Sequence, residues 1–457
     1  MDWSALPATL IITGRHVWQS SAQTQPGPCT FVICDGIIQR AIGKHLVLDE
    51  RDDCILLGQL LASEHDASGG GGTDLLSLAD PVGYWDADGS VVMPGIIDAH
   101  VHVNQPGRTL WEGMATATQA AAVGGCTTIV DMPLNSIPPT TTVANAQAKL
   151  DSVRDNCWVD VALWGGLVPD NHGELKPLLD FGVRGFKGFL IDSGVDEFPM
   201  VTGCEVAKAM DILKDQPAPL LFHAEMTPCA CSKPVPLHDE RRHGNDHASM
   251  SDVQDYCTFL ASRPPEMETA AIEAVISWLR QHPGIRGHIV HLSTASALPL
   301  IRKAKAQGIN VTVETCFHYL CLAADTVPRG ATQYKCCPPI RDEANREQLW
   351  AALASGDIDF VVSDHSPSTP ALKCLDNGDF MAAWGGIAGV QFGLMLLWTE
   401  MRRRKLPFTQ LLQWLCERPA QHIQLEARKG RLLPGFDADL VLWDPDVEHK
   451  VTTHAIK

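Results

Sequence analysis

The stretch GIIDAHVHV, residues 95–103, runs apolar and then sets His100 and His102 at alternate positions. In an extended strand, residues i and i+2 point to the same face. Both imidazoles therefore leave this strand on one side, near its C-terminal end. An HxH pair alone is weak evidence, because surface strands produce it by chance. Its weight comes from the rest of the chain.

From residue 91 to about 415, short β-branched runs alternate with longer helical patterns. After GIIDAHVHV come TTIVDMP (127–133), VDVALWGGL (159–167), VRGFKGFL (183–190) and PLLFHAE (219–225). HIVHLS (288–293), INVTVET (309–315) and DFVVSDHS (359–366) complete a set of eight. Between them lie helical stretches such as TLWEGMATATQAAAV (109–123), stopped by Gly124-Gly125, and PPEMETAAIEAVISWLRQH (264–282), opened by proline. Eight strands alternating with helices predict an α/β chain folded as a (β/α)8 TIM-like barrel over residues 93–415. A doubly wound sheet would need a topological switch. It also gives no reason for polar residues to close one strand after another.

The flanking segments read differently. TLIITG and CTFVICDGIIQRAIG in residues 1–92 look like short strands and turns, and GRLLPGFDADLVLWDPD (430–446) returns to strand character. The expectation is that 1–92 and 416–457 together form a small β-sandwich domain into which the barrel is inserted. SEHDASGGGGTD (63–74) reads as a surface loop, since no GK[ST] follows to make a phosphate cradle. HDERRHGNDH (238–247) reads as a loop over the barrel mouth, and MRRRKL (401–406) as a solvated helix end.

Polar residues recur at the strand ends. His100 and His102 close the first strand, Lys187 the fourth, His223 the fifth, His291 the sixth and Asp364 the eighth. Each histidine singly reads as a hydrogen-bonded structural residue. Together, at the end of a barrel where catalysis takes place, they read as a metal site. Imidazoles and a carboxylate suit zinc or a similar divalent ion. Four histidines and one aspartate are too many for one catalytic ion with an open position, and too few to bridge two. Lys187 as an ammonium would repel both ions and is costly to bury. If its amine has captured carbon dioxide, the resulting carbamate is an anion whose two oxygens can bridge them.

Composition narrows the partners. A net charge of −18 over 457 residues argues against nucleic acid or an anionic membrane as the main partner. No apolar run is long enough to span a bilayer, and the first residues lack a basic region followed by a long apolar core. The fifteen cysteines include no CxxC pair and read as reduced thiols, which makes the cytoplasm the expected compartment.

At these residues the chain resembles the amidohydrolase superfamily, its cyclic amidases, and among them the allantoinase family. The resemblance is carried in order by MPGIIDAHVHVNQPGR (93–108), GGCTTIVDMPLNSIPPTT (124–141), GVRGFKGFLIDSGVDEFP (182–199) and SRPPEMETAAI (262–272). VETCFHYL (313–320), KCCPPIR (335–341), SDHSP (363–367), WGGIAGVQ (384–391) and KGRLLPGFDADLVLWDP (429–445) continue it. It implies one ion on His100, His102 and Asp364 and a second on His223 and His291, with carboxylated Lys187 between them. It implies that Asp364 is the catalytic proton carrier, and that Asn104, Cys316, Ser366 and Trp384 lie near a small ureide substrate, allantoin, opened to allantoate. It also implies a homo-oligomer, with a tetramer favoured. Phe317 stands where the family usually has proline.

Three other readings compete with this one. Dihydroorotases follow the HxH strand with an arginine for the substrate carboxylate, where this chain has the neutral Asn104. A dihydropyrimidinase or hydantoinase would use the same ligand set, but NQPGR and SGVDEFP favour the allantoinase pattern. A non-catalytic scaffold of the dihydropyrimidinase type would be expected to have lost ligands, and every ligand position is kept here.

Overall fold

The computed structural model describes residues 9–46, 82–154, 156–227, 252–448 and 450–457. The loops expected at 63–74 and 238–247 lie outside these residues. The chain divides into two compact units, one of residues 1–95 with 426–450 and one of 96–425 with 451–457.

In the first unit, β1 (Thr9–Val17) pairs antiparallel with β2 (Gly27–Cys34), and β2 with β3 (Ile37–Ile42). The β2–β3 turn is Asp35-Gly36, both at positive φ, 50° and 75°. Asp-Gly favours that turn because its twist matches that of the flanking strands. β4 (Val82–Asp86) and β5 (Val91–Pro94) lie parallel to β1, and β15 (Leu440–Trp443) pairs antiparallel with β5. The six strands make one sheet. Its alternate side chains, among them Ile12, Phe31, Ile33 and Val92, bury a common core with Leu432.

The second unit carries two parallel arcs. β6 (Ile96–Val101), β7 (Cys126–Asp131) and β8 (Asp160–Leu163) form one. β9 (Gly165–Gly166), β10 (Phe186–Phe189), β11 (Pro219–His223), β12 (Arg286–Ile289), β13 (Val311–Cys316) and β14 (Phe360–Val362) form the other. Every neighbouring pair is parallel, as strands separated by helical crossovers must be. β6, β10 and β11 are buried at every position. Their near-continuous apolar character reflects cover on both faces.

The arcs meet at two places. Trp164, between β8 and β9, donates its backbone N–H to Asp131 O at 3.0 Å and its indole N–H to Ala99 O at 2.8 Å. At the other end Val101 bridges His365 in parallel, and His102 N–H donates to His365 O at 2.7 Å. The helix expected from Thr109 starts at Met114, because Gly113 with φ 113° interrupts the helical path before it. The other expected helix runs Pro265–Gln281 with proline in its first turn.

Candidate metal centre

The ends of the strands gather the expected donors. His100 lies in β6 and His102 just beyond it, on the same face. Lys187 is the second residue of β10 and His223 the last of β11. His291 and Asp364 each lie two residues past their strands, β12 and β14. Both leave the extended conformation for positive φ, 39° and 45°. Non-glycine residues held in that region store about 1–3 kcal/mol each and concentrate at functional sites. Here the turn re-aims each side chain at a strand end.

His100, His102 and Asp364 are buried, and one donor atom from each lies within 4.8 Å of the others. His100 Nε2 is 3.1 Å and His102 Nε2 3.5 Å from the same oxygen, Asp364 Oδ1. His100 Nε2 nevertheless has no hydrogen-bond partner and no contact with solvent. Buried imidazole nitrogens ordinarily find a partner. A buried nitrogen aimed at a carboxylate oxygen without bonding to it is what a shared cation would require.

The second group is built the same way. His223 Nδ1 faces His291 Nε2 at 3.0 Å. The His291 and His100 rings lie 5.4 Å apart, which joins the two groups. Burial lowers the pKa of both His223 and His291, and Lys187 lowers them further. Neutral imidazoles are the form that ligates metal.

Lys187 is 1% exposed. Among the described residues no acceptor within hydrogen-bonding range holds its Nζ, which lies 5.3 Å from the Phe189 ring centroid. Burial pushes its pKa down to about 8, against the pull of Glu314, Asp364 and Cys316. Asp364 is opposed by the same burial, yet His100 and His102 hold its carboxyl down at about 2. The donor set, its orphaned nitrogens and an unbonded lysine fit a metal centre.

Of the four residues expected near substrate, Cys316 ends β13 fully buried and shares a second cluster with His318 and Asp364. Asn104 is buried with φ 67°; its amide donates to Pro367 O at 3.2 Å and its Oδ1 has no partner. Ser366 is buried against Gly386, where a Cβ would collide with Ser366 O. Trp384 packs edge-on against Trp111 at 5.1 Å.

Two buried carboxylates that do not stand out in the sequence orient these imidazoles. Glu314, in β13, receives His100 Nδ1 at 2.5 Å and His288 Nε2 at 3.0 Å, and accepts the His291 backbone N–H at 3.3 Å. Both imidazoles hold Glu314 ionised despite its burial, well below the usual carboxylate range. Glu225 receives His223 Nε2 at 2.8 Å and pairs with Arg263. That contact turns the other nitrogen of His223, Nδ1, toward His291. Such outer carboxylates fix the tautomer and direction of a ligating imidazole. The signal available was a glutamate inside an apolar strand, VTVETC, and a second two residues after His223. Asp131, at the end of β7, accepts the Val103 N–H at 2.8 Å and pairs with buried Lys149 at 2.5 Å, which fixes the chain next to His102.

Comparison with known proteins agrees with this geometry. The amidohydrolase family matches residues 91–456. The allantoinase of Saccharomyces cerevisiae is 47% identical over 367 residues, 80% of this chain and 76% of that protein. The mitochondrial allantoinase of Aquarana catesbeiana is 52% identical over 413 residues, 90% of this chain and 75% of that one. In fold, the chain is similar to the L-hydantoinase (dihydropyrimidinase) of Arthrobacter aurescens, with TM-score 0.77 and 24% identity, over 94% of this chain and 86% of that one. The buried His/Asp cluster, the parallel arcs and these relatives lead to one conclusion: the chain belongs to the amidohydrolase family and, within it, to the allantoinases.

Proposed function

We propose that this chain is a metal-dependent cyclic amidase that hydrolyses the ring amide of allantoin to allantoate. The observation that carries the substrate is its 47–52% identity to named allantoinases over four-fifths or more of its length. The chemistry rests on the strand-end donors. His100, His102 and Asp364 would hold one divalent ion and His223 and His291 another, both read as zinc. Lys187 would join them as the carbamate formed when its neutral amine adds carbon dioxide and releases a proton. A pKa near 8 supports this, because it keeps a substantial neutral fraction at physiological pH. The bound ions would supply Lewis acidity and a water of lowered pKa.

The chain's own residues do the rest. Asp364 takes the proton of the attacking water and delivers it to the departing ring nitrogen, acting as base and then as acid. Glu314 and Glu225 hold the imidazole rings in direction. Asn104 offers its unpartnered carbonyl oxygen to a ureide N–H, which a neutral amide serves better than a cation would. Cys316, Ser366 and Trp384 complete the wall.

The two arcs are read as one closed (β/α)8 barrel, supported by the Trp164 and Val101–His365 junctions. The six-stranded sheet of the other unit is read as part of a β-sandwich. A homo-oligomer, with a tetramer favoured, is carried over from the family resemblance; the exposed Leu110 and Trp158 are available to an interface between copies. The cytoplasmic reading is supported by the cysteines, which form no disulfide among the described residues. Among the described residues no helix is long and apolar enough to cross a membrane.

The test is turnover of racemic allantoin against hydantoin and dihydrouracil by protein supplied with zinc and bicarbonate. Preferential opening of allantoin is expected. Preference for hydantoin or dihydrouracil would keep the centre and overturn the substrate. No hydrolysis by a protein that binds no metal would favour a scaffold.

A further inference from the structure

The thiol of Cys316 and the imidazole of His318 stand beside Asp364 with no ligand role in the hydrolytic centre. Cys316 closes β13, and His318 follows two residues later in the short helix Phe317–Cys321. One donor atom from each of Cys316, His318 and Asp364 lies within 4.8 Å of the others, and all three residues are buried. Independently, His318 Nε2 is sealed from solvent without a hydrogen-bond partner. An orphaned buried imidazole nitrogen is costly unless something binds it.

We propose that Cys316, His318 and Asp364 form a further cation site, inhibitory and selective for soft or borderline divalent ions such as cadmium or excess zinc. Thiolate and imidazole are the ligands that such ions choose, and one solvent molecule would complete a four-coordinate set. Binding exchanges the S–H bond of Cys316 for a sulfur–metal bond, and the proton passes to solvent. Asp364 also belongs to the His100–His102 group. An ion held by Cys316 and His318 therefore draws on the carboxylate that carries the proton in hydrolysis. Such a site would inhibit the opening of any cyclic amide the enzyme accepts.

The test uses the full chain loaded with zinc and bicarbonate, titrated with cadmium chloride while ultraviolet absorption and turnover are followed together. Cadmium on a thiolate gives a charge-transfer band, which cadmium on histidine and carboxylate alone does not. Other cysteines contribute to the total band, so the reading is the difference between the unmodified chain and Cys316→Ser. The expected difference is one equivalent of cadmium–thiolate, appearing in step with the loss of turnover. Each variant is measured as the fraction of its own cadmium-free rate, so a slower starting enzyme does not confuse the result. His318→Gln, which keeps the thiol, should raise the inhibitory cadmium concentration at least about tenfold, since losing even an outer partner of a ligand costs that much. It also preserves the test should Cys316→Ser fail to fold. A band of equal size in Cys316→Ser, or inhibition unchanged in His318→Gln, overturns the site. The band needs no turnover of allantoin, so it fails or survives separately from the substrate assignment.

Discussion

Glu314 and His100 stand 2.5 Å apart, oxygen to Nδ1, although 214 residues separate them in the chain. The same carboxylate reaches His288 with its other oxygen at 3.0 Å and accepts the backbone N–H of His291. One buried anion thus holds a residue from each of the two donor groups, His100 and His291. Replacing it with glutamine keeps the shape but leaves one acceptor oxygen for two imidazoles. Glu314→Gln should fold and bind zinc about 10–100-fold more weakly. Competition with a chelator measures this; unchanged zinc affinity would show that Glu314 does not orient the site.

Asp364→Asn should retain much of its metal, since a carbonyl oxygen remains beside His100 and His102, and should lose turnover because an amide cannot carry the proton. Metal content and single-turnover hydrolysis, measured on one preparation, separate the two effects. Turnover at the normal rate would remove the proton carrier from the mechanism.

Lys187→Ala should lose both bound zinc and turnover. In the unmodified chain, growth or reconstitution in carbon-13 bicarbonate should produce a carbamate resonance that the variant lacks. A variant retaining two zinc ions per chain would refute the carbamate bridge.

Activation should depend on pH in a defined direction. Only the neutral amine adds carbon dioxide, and burial sets the Lys187 pKa at about 8. Below that value the neutral fraction rises roughly tenfold per pH unit, and above it the fraction levels off. Metal-free, decarboxylated protein given zinc at fixed dissolved carbon dioxide should therefore activate faster from pH 6 toward about 8 and then plateau. A rate flat across that range would count against a lysine with this pKa.

The Lys149–Asp131 pair is almost wholly buried, each side chain 1% exposed. Lys149→Met would leave the carboxylate uncompensated, and removing one partner of a buried pair costs about 3–5 kcal/mol. Denaturant unfolding should show this loss. Stability within about 1 kcal/mol of the unmodified chain would mean that solvent or another cation compensates Asp131.

Much of this protein is legible in the order of its residues. Period-two and helical patterns are local, so the alternation of strands and helices, and with it the α/β class, follows from residues near one another in the chain. The donors at strand ends, from His100 to Asp364, are visible because each interrupts an apolar run. Lys187 stands out for the same reason: an ammonium does not belong in a buried strand. The tertiary structure alone decided how these groups meet. That Glu314 would hold His100, and that Nδ1 of His223 would face His291, depend on contacts between strands far apart in sequence. Hydrogen-bond directions across such strands leave no periodic trace in the sequence, because they are set by the packing of the whole unit rather than by neighbouring residues.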